Sequence, residues 1–147
     1  MRLVDLDESD SVLVKKARLL LQKRYSNISG VSAGLRTTMG TEFYGLCVDA
    51  KTATVGMCAE YCAVGTMLTN GERRIQTIVA VTRRTRTTYA ILPPCGKCRD
   101  LIRAFGNPYV ILQVGKSLEE LRKVRIAELV SFPWDQVTDA RPWLQAS

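Results

Sequence analysis

The heptapeptide IQTIVAV, residues 75–81, limits the fold more than any other stretch. It is β-branched and too short for a stable helix, so it reads as a buried strand. Helical patterns flank it. The one before covers 57–68 and is stopped by Asn70-Gly71. After it come a basic loop and a strand-like stretch over 89–92, which Pro93-Pro94 breaks. A second helix over 95–105 follows, ended by Gly106-Asn107-Pro108, and then a strand over 109–114. Upstream, Val12, Leu13, Ala17, Leu20 and Leu21 predict an amphipathic helix over 9–24, with Ser9 or Ser11 as its cap. VSAGLRTTMGTEFYGLCV predicts two strands turning near Met39-Gly40. Ser117-Leu118-Glu119-Glu120 has the look of a capping box and predicts a last short helix. The order α-β-β-α-β-α-β-α implies a layered α/β domain with a partly parallel sheet. With 147 residues and no repeat or linker, one domain over 1–147 is expected.

Composition matters mainly for what it removes. The chain has no histidine, which excludes Ser-His-Asp and Cys-His nucleophiles and any metal site built on imidazole. A general base must then be Glu, Asp, Lys, Tyr or Cys. No apolar run approaches the roughly 20 residues that span a bilayer. The start, MRLVDLDESDSV, is acidic and lacks the apolar segment of a secretory signal, so a cytoplasmic address is the expectation. The formal charge is +7, with a local cluster at Arg83, Arg84 and Arg86. Such runs usually form solvated loops, and no aromatics interleave with this one to stack bases. A nucleic-acid partner is therefore not the expected one.

Five cysteines remain, an odd number that argues against a disulfide framework. Cys58 and Cys95 both fall where a strand region passes into a helix, and Cys98 lies one turn beyond Cys95. Helix N-termini stabilise thiolates there. Three thiolates and an open fourth position are the layout of a catalytic zinc. Cys47 or Cys62 could instead close a structural site, although each reads more simply as a small buried apolar residue. Glu60 stands two residues after Cys58 at the start of an apolar helix. It can cap that helix, or it can carry a proton for water activated by the metal.

Cys58-Ala59-Glu60, joined to Pro94-Cys95-Gly96-Lys97-Cys98 thirty-seven residues on, resembles the signature of the zinc-dependent cytidine deaminase superfamily. The resemblance covers about Tyr25 to Trp134. It implies a three-layer α/β/α sandwich with a mixed, partly parallel sheet. It also implies Zn²⁺ on Cys58, Cys95 and Cys98, Glu60 as the acid/base, and a homotetramer acting on small nucleosides. The family's G-x-N-[VI]-E-N segment falls on Gly45-Leu46-Cys47-Val48-Asp49-Ala50, so Cys47 and Asp49 stand where sugar-binding Asn and Glu are usual. Ala59, Ser26 in the family's Y-S pair and Trp134 are the other positions that the resemblance places at the substrate. Many members carry Arg after the C-A-E, but here Tyr61 stands there, and Lys97 or Arg99 would have to offset the thiolate charge. The branch acting on blasticidin S also lacks that Arg and shares the P-C-G-x-C-R run.

The resulting expectation is a hydrolytic deaminase of a cytosine-type nucleoside or nucleoside analogue. An aminopurine or modified-base deaminase is the second reading, motivated by the altered sugar segment. A structural zinc domain touching nucleic acid through Arg83, Arg84 and Arg86 is the third.

Overall fold

The computed structural model describes residues 1–25 and 30–133. The elements are α1 (Glu8–Arg24), β1 (Val31–Thr37), β2 (Glu42–Leu46), α2 (Ala59–Thr69), β3 (Ile75–Arg83), β4 (Tyr89–Leu92), α3 (Gly96–Arg103), β5 (Tyr109–Gln113) and β6 (Leu121–Arg125). Single 3-10 turns cover Ala53–Val55 and Ile126–Leu129. The strands form one mixed sheet in the order β2-β1-β3-β5-β6, with β4 paired to β3. β3 runs parallel to β5, with Thr77 opposite Tyr109, and antiparallel to β1 and β4. Among neighbouring strands the parallel component is thus the β3–β5 pair, reached through α3, while α2 carries the chain from β2 over β1 to β3.

β3 is central because both of its faces are covered. Ile75 and Ile78 pack with Ala63, Met67 and Ile102 of α2 and α3. Val79 and Val81 pack with Leu13, Ala17 and Leu21 of α1. The β-branched run follows from this double burial. The layers are therefore α1, sheet, and α2 with α3. α2 lies close on β2 because Gly45 has no side chain: a Cβ there would stand 2.2 Å from the Ala63 amide nitrogen.

The last expected helix is a strand. Ser117 closes a turn instead, its Oγ accepting from Glu119 N at 3.2 Å and its carbonyl from Glu120 N at 3.2 Å. The Ser and Glu pattern is satisfied locally by that turn. Leu121 to Arg125 then pair residue for residue with β5. The N-terminal cap also differs from the expectation. Asp7, not Ser9 or Ser11, caps α1, accepting from Asp10 N at 2.9 Å, while Asp10 Oδ2 accepts from Asp7 N at 3.2 Å. An Asp at the third position completes the box as a Glu usually does.

Asp10 is wholly buried beneath the sheet edge. Arg36 Nη2 of β1 donates to it at 2.7 Å, and Lys123 Nζ of β6 bonds both Asp10 and, at 2.9 Å, Asp7. Arg36 Nε donates to Gln76 Oε1 of β3 at 2.9 Å. Buried charge is tolerated only when paired in this way.

Candidate active site

Cys58 is the N-cap of α2 and Cys95 the N-cap of α3, both with extended backbone angles and neither spending its side chain on a capping bond. Cys98 lies in the first turn of α3 and is fully buried. The three sulfurs all lie within 4.8 Å of one another. Tetrahedral zinc with Zn–S of about 2.3 Å asks for S···S of about 3.8 Å, a separation compatible with this grouping. Two helix N-termini point their amide dipoles at the cluster.

Burial pushes the Cys58 thiol up, and burial together with the Glu60 charge pushes Cys98 up further. Burial also opposes ionisation of Cys95, but hydrogen bonds from the Cys98 amide and from the Cys98 and Cys58 thiols outweigh it and lower that thiol. Three thiolates at this spacing need a cation among them, and the donor set suits zinc.

Glu60 is 6% exposed and sits in the first turn of α2. Burial raises its carboxyl above the usual range, partly offset by its own backbone amide and by Cys98. It stands outside the group of three ligands, yet it shares a cavity of about 380 Å³ with Cys58 and Cys95. Cys47, Val48 and Asp49 form one wall of that cavity, and Leu92 and Pro93 form another. The volume lies within the usual range of about 300–1,000 Å³ for small-molecule sites.

The structure therefore brings Cys58, Cys95, Cys98, Glu60, Ala59, Cys47 and Asp49 to one place. Ser26 and Trp134 lie outside the described residues. Cys47 and Cys62 are not in the thiol group, so among the described residues no fourth cysteine closes it. Cys47 is buried, and its sulfur accepts from Val31 N at 3.3 Å. Cys62 is half-buried rather than core, because the buried stripe of α2 runs through Ala59, Ala63 and Met67 and leaves position 62 on its flank.

Of the two candidate balancing cations, Lys97 places Nζ 4.7 Å from the centre of the Tyr61 ring, tying the first turns of α3 and α2 together. Arg99 is anchored beside α3: Nε donates to Pro94 O at 2.9 Å and Nη1 to Leu129 O at 3.2 Å. Arg83 donates to Gln22 O and stacks 5.6 Å from the Tyr89 ring, while Arg84 and Arg86 are exposed on the β3–β4 hairpin.

No sign of the bridge between Val48 and Met57, whose amides and carbonyls pair in both directions at 2.9 Å, is present in the sequence. That bridge closes the loop between Asp49 and the first ligand. Nor does the sequence mark Leu92 as a cavity wall, although a residue three before Cys95 has little room to lie elsewhere.

The family model described as "Cytidine and deoxycytidylate deaminase zinc-binding region" matches residues 7–114, which contain the three clustered cysteines, Glu60 and the residues lining the cavity. The chain belongs to this family. Cytidine deaminase-like chemistry, hydrolytic and dependent on zinc, is thus the frame for the thiol cluster. The blasticidin-S deaminase of Bacillus cereus is 29% identical over 140 residues, 91% of this chain and 98% of that protein. A cytidine deaminase of Mycoplasma genitalium is 22% identical over 96 residues, 65% of this chain and 72% of that one. The crystal structure of the Bacillus anthracis cytidine deaminase superposes with a TM-score of 0.75 at 20% identity, covering 87% of this chain and 91% of its own. That likeness carries the cytidine deaminase fold, including the mixed sheet.

Proposed function

We propose that this chain deaminates a cytosine-type nucleoside or nucleoside analogue, releasing ammonia and leaving an oxo group on the ring. The observation that carries the reading is the burial of Glu60 in the cavity that Cys58 and Cys95 border. A carboxylate there is costly unless its proton is used. Cys58, Cys95 and Cys98 would hold the zinc, which when bound supplies Lewis acidity towards water near neutral pH. Glu60 takes a proton from the attacking water, delivers it to the ring nitrogen, and carries the next to the departing amine. Asp49 accepts from a sugar hydroxyl. Cys47 offers the substrate little, since its sulfur faces the Val31 amide.

That last contact also favours the second reading, an aminopurine or modified free-base deaminase with less need of a sugar site. The nucleic-acid reading loses support because the thiol group lacks a fourth cysteine. We further propose a homotetramer in the cytoplasm. Val48 and Met57 line the cavity at 51% and 46% exposure, apolar surface suited to cover by another copy. Among the described residues no helix is long and apolar enough to cross a membrane.

The test is ammonia release from cytidine, deoxycytidine, blasticidin S, cytosine and aminopurines, with zinc measured on the same preparation. Turnover of a nucleoside or its analogue is expected. Turnover of free bases alone would move the assignment to the second reading. One zinc per chain with no turnover on any of them would overturn both.

A further inference from the structure

Cys47 follows the last residue of β2 and begins the wall that leads to Asp49. The peptide joining Cys47 to Val48 is planar and rigid, so two bonds at its ends fix its tilt. Its carbonyl accepts from Tyr25 Oη at 2.6 Å. Its amide, Val48 N, donates to Met57 O at 2.9 Å, and Met57 directly precedes the ligand Cys58. One end is thus held by the C-cap of α1, the other by the residue beside the metal centre.

The Tyr25 ring is itself held by packing. It touches both core clusters, so it stands where the two helical layers meet the sheet. A Cβ at Gly30 would lie 2.8 Å from its Cδ2, so the ring packs against that glycine in space a side chain would fill. Its backbone amide donates to Leu21 O at 2.9 Å. Packing therefore places the ring, and the hydroxyl is left to place something else.

We infer that Tyr25 is a positioning residue: its hydroxyl clamps the peptide between Cys47 and Val48, and so sets the distance between the Asp49 wall and the thiol cluster. The inference rests on the deaminase reading for its kinetic part only. Tyr25 touches no reacting atom, so the clamp governs how well substrate is seated rather than how fast the bond breaks.

Tyr25→Phe keeps the ring and removes only the clamp. Tyr44→Phe is the control, because Tyr44 also has a hydroxyl in a part-buried bond, to Glu42 Oε2 at 2.8 Å, on β2 but outside the cavity lining. In Tyr25→Phe, hydrogen exchange at the Val48 and Met57 amides should speed up about tenfold, with zinc content unchanged. KM for the best substrate of the panel should rise about tenfold while kcat stays within about twofold. Tyr44→Phe should leave all of these in place. Unchanged exchange in Tyr25→Phe, equal changes in the Tyr44→Phe control, or a fall in kcat at constant KM would each overturn the clamp. A wild-type protein that turns over no substrate would overturn the deaminase reading, and the exchange result would still decide the clamp.

Discussion

Glu60 carries the chemistry through its place rather than its identity alone. A glutamate in a helix's first turn is ordinary, but one that is 6% exposed and shares a cavity with two cysteine N-caps is not. Glu60→Ala should keep its zinc and lose at least about 100-fold in kcat, the range that general acid–base groups supply. Metal analysis beside single-turnover rates checks it, and loss of zinc in this variant would make Glu60 a ligand instead. Cys98→Ser should behave in the opposite way. Cys98 is buried among the three sulfurs, so zinc stoichiometry should fall first and activity with it. Chelation of the wild-type protein should likewise abolish turnover and lower the melting temperature, since bound metal stabilises the folded state by mass action.

At the scale of elements, the site depends on how closely α2 approaches β2. The first turn of α2 presents Cys58 and Glu60, and Gly45 lets that helix lie against the strand. Gly45→Ala puts a methyl 2.2 Å from the Ala63 amide, a backbone atom that cannot move alone. We expect a loss of about 2 kcal/mol or more in denaturant unfolding, with weaker zinc binding because α2 must shift. An unaltered midpoint would mean that the helix has slack the packing does not show. The turn at Ser117 makes a related point. The same Ser and Glu residues could open a helix, but five ladder pairs with β5 outweigh a local cap.

For the whole molecule, the Asp7, Asp10, Arg36 and Lys123 network joins α1 to β1 and β6. Asp10→Ala leaves buried Arg36 without its carboxylate and Lys123 with Asp7 alone, and should cost about 3 kcal/mol or more, measured by thermal or denaturant unfolding. The network also predicts a pH dependence. The hydrogen bond from Lys123, helped by the Asp10 amide, holds the Asp7 carboxyl at about 2, below its ordinary 3.8. A lowered carboxyl stabilises the fold above the ordinary value and loses that effect as pH falls through the folded one. Stability should therefore drop between roughly pH 4 and pH 2, and Asp7→Asn should flatten that drop. Burial disfavours the Lys123 ammonium, but its bonds to Asp10 and Asp7 outweigh this and raise it. Its contribution persists through neutral pH and is lost only above the ordinary lysine range.

Much of this protein is legible without coordinates. Periodicity and breakers mark α1, the hairpin of β1 and β2, α2, β3 and α3 to within a few residues, because each carries its burial pattern and its stop signals within its own segment. The spacing of Cys58, Glu60, Cys95 and Cys98 carries the family resemblance from which the candidate chemistry follows, whereas Cys95 and Cys98 alone would equally suit a redox pair. Tertiary structure alone decided the rest. β6 is a strand because β5 lies beside it, Cys62 is half-buried because the buried stripe of α2 passes beside it, and Arg99 is anchored by the carbonyls of Pro94 and Leu129. These are partnerships between residues distant in the chain or set by the packed backbone. No local pattern encodes them, because the competing partner is present only once the chain has folded.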